Sequence, residues 1–201
     1  LDISRSYVSQ LITLAKNLGI VKISIQADDF VKELDFADRF GLKQVYILPS
    51  QSREYSDSAF DSFCAQQTIR LLRNARFVGI NLGDTVRRVI NQLSKDDLRD
   101  SSAECVVQIM GGCSQHYTRA GVMPNELVYH LGSLLNCRCL YLDCPVMLSN
   151  TAVRELLLQE EGIQAVFETW KQLDTVLMGM GRAENSLLAR DDEDLKKKVV
   201  A

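Results

Sequence analysis

Five short runs of β-branched and aliphatic residues, each bordered by a helical pattern, constrain this chain more than any other feature of it. They are Val45 to Leu48, Phe77 to Ile80, Cys105 to Met110, Cys139 to Leu142 and Thr175 to Met178, and they look like buried parallel strands. Helical spacing predicts helices over Asp28 to Phe40, with Phe30, Leu34, Ala37 and Phe40 inward, and over Ala59 to Arg73, Thr85 to Leu93, Glu126 to Leu135, Thr151 to Gln159 and Ala165 to Gln172. Such alternation implies an α/β fold: a parallel, Rossmann-like sheet in three layers, with right-handed crossovers. Ligands of such sheets sit beyond the carboxyl ends of the strands.

Glycines stand at these strand ends. In Gly79-Ile80-Asn81-Leu82-Gly83-Asp84-Thr85 a strand runs into a helix start, whose free backbone N–H groups form a candidate anion cradle. In Gln108-Ile109-Met110-Gly111-Gly112-Cys113-Ser114 paired glycines permit close backbone approach, and Gln108 offers an amide to a hydroxyl. Gly179-Met180-Gly181-Arg182 follows the last strand, with Arg182 able to meet a phosphate or carboxylate. Taken singly, a glycine after a strand is most often only a turn. The last stretch also fails as a dinucleotide fingerprint, since Glu184 occupies its third glycine position.

The chain has 201 residues, 46% of them hydrophobic and 24% charged, enough for one good core and a small appendage. A net charge of −3 argues against the body being a nucleic-acid surface, so any DNA affinity must come from a separate module. No apolar stretch approaches the roughly 20 residues that span a bilayer, and no signal peptide opens the chain. Cys64, Cys105, Cys113, Cys137, Cys139 and Cys144 fall on predicted elements and their ends, which favours a reducing, cytoplasmic setting. Cys137 and Cys139 invite a metal hypothesis, but no second Cys pair or His stands at ligand spacing, and core packing is the simpler reading. His116 and His130 have no partners in a catalytic pattern. No cofactor is expected.

At the N-terminus Ser4 is a candidate N-cap, and Val8, Leu11, Ile12, Ala15 and Leu18 recur at helical spacing before Gly19. The first turns carry Ser4, Arg5, Ser6, Tyr7 and Ser9, groups that bond phosphates and base edges when a helix enters a major groove. An ordinary solvated helix start has the same composition. The continuation into alternating Ile20 to Ile25 favours a recognition helix followed by a wing or linker strand.

The ordered set ISRSYVSQLITLAKNLGIVKI, GINLGDTV, VVQIMGG, Asp143-Cys-Pro145 with Ser149-Asn150, and DTVLMGMG resembles the SorC family of bacterial sugar-responsive transcription regulators over nearly the whole chain. The resemblance implies residues 1–25 as a remnant of a helix-turn-helix and 26–201 as an effector domain of the type related to glucosamine-phosphate and ribose-phosphate isomerases, truncated at both ends. It implies a sugar or sugar-phosphate effector, operator DNA and a homodimer or tetramer as partners, and no catalysis. The family's phosphate loop, GxSxGxT, falls on Gly79, Asn81, Gly83 and Thr85; Gln108, Gly111 and Gly112 match a second segment, and Gly179 and Gly181 a third. Two departures matter: Asn81 replaces a hydroxyl residue, and Asp84 sets a carboxylate beside the cradle, weakening phosphate binding unless it turns away. A neutral sugar bonded by Asp84 stays open.

A sugar-phosphate isomerase on the same fold is the competing class. It needs a positioned general base. Asp84 and Asp143 stand at predicted strand ends, but no acid–base pair is evident. A nucleotide-binding domain is disfavoured by the failed fingerprint.

Overall fold

A computed structural model describes residues 4, 7, 8, 11, 27–48, 57–112, 123–148 and 150–181. The chain divides into two compact units, Leu1–Glu54 and Tyr55–Ala201.

In the N-terminal unit Ser4 caps a helical turn: Tyr7 N–H donates to Ser4 Oγ at 3.2 Å and Val8 N–H to the Ser4 carbonyl at 3.1 Å. Arg5, Ser6, Ser9 and the expected linker strand lie outside the described residues. Helix α1, Ala27–Phe40, ends where Gly41 takes a left-handed φ of 62°. Leu42 N–H returns to the Ala37 carbonyl and Gly41 N–H to that of Asp38, a paired closure that satisfies the helix's last acceptors.

Two expectations fail in this unit. Leu34 and Phe40 are exposed rather than inward, Phe40 lying against Phe36 with ring centroids 4.6 Å apart; the side chain of Phe30 lies outside the described residues. Val45 to Leu48 is not a strand, because no described residue pairs with it in a ladder; Ile47 N–H instead donates to the Glu33 carboxylate at 2.6 Å.

In the C-terminal unit the order is α2 (Asp57–Leu72), β1 (Phe77–Ile80), α3 (Asp84–Ile90), α4 (Lys95–Leu98), β2 (Cys105–Gln108), α5 (Pro124–Leu135), β3 (Arg138–Leu140), α6 (Thr151–Leu157), α7 (Glu161–Trp170) and β4 (Thr175–Leu177). The strands form one sheet in the order β3-β2-β1-β4, and every pairing is parallel. β2 shows why its first three residues are apolar. Val106 enters a core with Leu72, Ile90 and Leu131 on one face, while Cys105 and Val107 meet Ile163 and Val166 on the other. Helices thus cover both faces, each buried Leu, Ile or Val side chain contributing about 1.5–3 kcal/mol.

Element ends are set by local chemistry. The helix expected to Leu93 stops at Ile90, and Ser94 begins the short α4 with a reciprocal cap to Asp97. Asn136, the C-cap of α5, takes a left-handed φ of 52°, and Cys137 N–H returns to the Gly132 carbonyl at 3.1 Å, turning the chain into β3.

Candidate functional site

The strand order places a reversal beside β1. The chain steps from β1 to β2 and then β3 on one flank, and β4 returns to the opposite flank. Loops leaving the carboxyl ends of β1 and β4 therefore diverge, and the crevice between them is the switch point at which open α/β sheets bind ligands.

Two of the glycine loops meet there. Asn81 N–H donates to the Leu177 carbonyl at 3.0 Å, joining the first residue after β1 to the last of β4. A cavity of about 350 Å³ opens beside them, lined by Thr85 and Val86 of α3, by Leu177 to Met180, and by Phe60, Cys64 and Thr68 of α2. Gly83 precedes α3 in an extended conformation, φ 174°, and no side chain caps that helix. A Cβ at Gly83 would meet only Val86 Cγ2 at 3.6 Å, one at Gly179 only the same atom at 3.8 Å, and one at Gly181 nothing within 4 Å. Arg182 lies outside the described residues.

Other glycines have a packing reason. Gly79 is buried inside β1, where a Cβ would stand 2.8 Å from Ile109 Cγ2. Gly111 lies against backbone: a Cβ would stand 2.6 Å from the Cys144 carbonyl oxygen. Gly112 N–H donates to that same oxygen at 2.8 Å, and Val146 N–H to the Gly112 carbonyl at 2.9 Å, so the second loop is stitched to the segment after β3. The structure therefore brings the first and third loops to one crevice. The second joins them at the sheet's carboxyl edge through Ile109 N–H, which donates to the Ile80 carbonyl at 3.1 Å.

Gln108 closes β2 fully buried. Its Nε2 donates to the Met110 carbonyl at 2.5 Å, while Oε1 has no partner among the described residues. Next to this strand end a second cavity, of about 370 Å³, is lined by apolar residues including Leu142, Phe167 and Trp170, with Arg154 at its wall.

The carboxylate of Asp84 is turned along its own helix. Oδ1 accepts from Arg87 at 2.6 Å and Oδ2 from Arg88 at 3.0 Å, while Arg88 Nε also donates to Asp61 Oδ2 at 2.9 Å. The Arg87 hydrogen bond, aided by the charges of both arginines, holds the Asp84 carboxyl below its usual range. Both carboxylate oxygens of Asp84 are thus engaged by arginines of its own helix. Among the described residues no His, Cys, Asp and Glu cluster could hold a metal ion. Cys137 and Cys139 pack beside the core, and burial first, then the neighbouring Cys139 and Cys105, push the Cys137 thiol up to about 11.

Sequence spacing did not indicate the α2 wall of the crevice, Phe60, Cys64 and Thr68, since which helix crosses α3 is a tertiary matter. Asp61 carried a readable signal. It shares a helical stripe with Ala65, Thr68 and Leu72, all buried, and is the one charge in it.

A parallel sheet covered on both faces, with divergent loops at its switch point, defines an α/β domain with a crevice at its carboxyl edge. The family described as "Putative sugar-binding domain" matches residues 26–200. The chain belongs to this family, the sugar-binding effector domain of SorC-type transcriptional regulators. It is 28% identical over 187 residues to the sorbitol operon regulator of Klebsiella pneumoniae, covering 90% of this chain and 58% of that protein. With the deoxyribonucleoside regulator of Bacillus subtilis it shares 24% over 195 residues, 94% of this chain and 60% of that protein. The crystal structure of the full-length sorbitol operon regulator SorC superimposes with a TM-score of 0.69 at 24% identity, covering 98% of this chain and 66% of that one. That likeness shows the fold. Each of these relatives is named as a regulator. Among the described residues no helix is long and apolar enough to cross a membrane.

Proposed function

We propose that this chain senses a sugar or sugar phosphate in the crevice between the ends of β1 and β4, and that occupancy alters operator binding by the regulator of a carbohydrate-utilisation operon. One observation carries the reading: the loops after β1 and β4 come together, through Asn81 and Leu177, at the sheet's only reversal among the described strands. Asn81, Gly83, Asp84 and Thr85 supply one side of the site and Gly179, Gly181 and Arg182 the other. Gly79 supports the first loop from within β1. Gln108, Gly111 and Gly112 bound the site from β2, where the unpartnered Gln108 Oε1 supports a role in accepting a hydroxyl.

The family match beginning at residue 26 supports a division into a reader, residues 1–25, and a sensor, residues 26–201. In the reader Ser4, Arg5, Ser6, Tyr7 and Ser9 face operator DNA when the remaining helices of the helix-turn-helix are present. The Ser4 cap supports a helix start there. Regulation follows from linkage: a ligand that prefers one arrangement of the domain shifts paired recognition helices, which read half-sites about 34 Å or a multiple apart. That pairing needs a homodimer or tetramer, and the free thiols of the described cysteines fit a reducing, cytoplasmic setting. The domain of the isomerase type is the fold-level relation we favour.

The test is a thermal-shift panel of sugars, polyols and their phosphates on the full-length regulator, followed by operator binding with and without the hit. A hit that stabilises the protein and changes operator affinity is expected. A panel without any shift overturns the assignment.

A further inference from the structure

Helix α2 buries Asp61, Ala65, Thr68 and Leu72 along one stripe. A carboxylate is out of place in it. Asp61 is 4% exposed, and its Oδ1 is buried without a hydrogen-bond partner among the described residues. Its Oδ2 accepts from Arg88 Nε at 2.9 Å, and the same guanidinium donates from Nη1 to Asp84 Oδ2 at 3.0 Å. One arginine is thus shared between a buried carboxylate of α2 and an exposed one in the first turn of α3.

Stability alone does not select this arrangement. Desolvation offsets most of the attraction in a buried ion pair, and a well-packed apolar pair of similar volume is commonly as stable or more so. An unsatisfied buried oxygen adds a further cost. Residues that break a local rule in this way concentrate where function requires them.

We infer that Asp61 is a positioning residue: it fixes Arg88, and through Arg88 the Asp84 end of the β1–α3 loop, so that the proposed effector crevice is mechanically tied to α2. The role rests on the reading of that loop as effector-binding. α2 is the first helix of the C-terminal unit after the division at Glu54 and Tyr55. A ligand that draws Asp84 from Arg88 changes the charge Arg88 presents to Asp61, and the hold of α3 on α2 changes with it. Asp61, Arg88 and Asp84 then form a physically continuous element that both ends can bias.

The test needs no ligand. Hydrogen exchange is measured at the α2 amides of Ala65 to Ile69 in the full chain, with Asp84→Ala as the perturbation. Asp84→Ala should change that exchange by about fivefold or more, the low end of ordinary coupling between sites. In the Asp61→Leu background it should add nothing. Arg88→Lys keeps the charge but cannot present a planar fork to two carboxylates, and should likewise abolish the response. The double variant Asp61→Leu/Arg88→Met should keep a Tm at or above the parent's, which separates positioning from folding. Exchange in α2 that ignores Asp84→Ala, or answers it equally with and without Asp61→Leu, overturns the inference, as does a collapse of Tm in the double variant. Because no sugar enters the experiment, its failure is distinct from failure of the effector reading, which the ligand panel judges.

Discussion

Asn81 and Leu177 are joined by a backbone hydrogen bond of 3.0 Å that crosses from the end of β1 to the end of β4. Beyond it the two chains part, one into α3 and the other toward Gly179 and Gly181. The bond marks the floor of the crevice, and the glycines beside it leave room for a Cβ: at Gly83 and Gly179 it would reach only ordinary contact with Val86, at 3.6 and 3.8 Å, and at Gly181 nothing within 4 Å.

Gly83→Val therefore separates folding from binding. Its backbone is extended and the nearest atom to a new Cβ is Val86 Cγ2 at 3.6 Å, so the variant should melt within a few degrees of the parent. A ligand at about 100 times its Kd stabilises a protein by about 2.7 kcal/mol, roughly 5–10 °C for a domain of this size. That increment should vanish in Gly83→Val, because the branched side chain fills the approach to the loop. A variant that still responds fully to the parent's ligand places the site elsewhere.

Gly111→Ala should behave in the opposite way. The added methyl would lie 2.6 Å from the Cys144 carbonyl oxygen and 2.8 Å from Val146 N, both backbone atoms with little freedom to move. A loss of about 1–3 kcal/mol or more is expected from such overpacking, read from urea midpoints. Gly112→Ala, whose Cβ would stand 3.8 Å from the same oxygen, should cost much less. Equal midpoints for the two variants would contradict this account of the second loop.

These glycines show how far sequence carries. β1 was legible to the residue because a strand buried on both faces is apolar without interruption, and the end of α1 at Phe40 was legible in the helical spacing. Glycine at a strand end was also legible, but its purpose was not. Gly111 yields to a neighbouring backbone and Gly79 to the Ile109 side chain, while Gly83 leaves open space, and the three look alike in sequence. Val45 to Leu48 has the composition of a strand, yet a ladder needs a partner that composition does not supply. Exposure of Leu34 and Phe40 likewise depends on what the helix is packed against, which periodicity alone cannot name.

Asp84 gives the fold a pH signature. Its folded-state carboxyl is held below the ordinary 3.8, first by the Arg87 hydrogen bond and also by contacts with Arg88. A depressed carboxyl contributes stability that is present above the unfolded value, about pH 4, and is lost as pH falls through the folded value. The Tm advantage of the parent over Asp84→Asn should therefore be largest near neutrality and shrink on acidification below pH ~4. The side chain is 58% exposed, so the advantage is small and should weaken further in high salt. A gap that widens as pH falls has the wrong sign for this cluster.

Trp170 is the only tryptophan of the chain, and its indole N–H donates to the Gln108 carbonyl at 2.9 Å. The ring also meets Phe167 edge-on, with centroids 4.5 Å apart at 87°. Trp170→Phe keeps an aromatic ring against Val107, Ile163 and Val166 but removes the donor that ties α7 to the end of β2. The carbonyl it leaves belongs to a fully buried residue, and losing one partner of a buried hydrogen bond costs about 1–3 kcal/mol. Since the substitution also removes the fluorophore, unfolding of parent and variant should be compared by circular dichroism in urea. A midpoint lowered with unchanged slope is expected, because only native-state stability changes. An unchanged midpoint would mean that the aromatic contact alone holds α7 on the sheet and that the Gln108 carbonyl finds another donor.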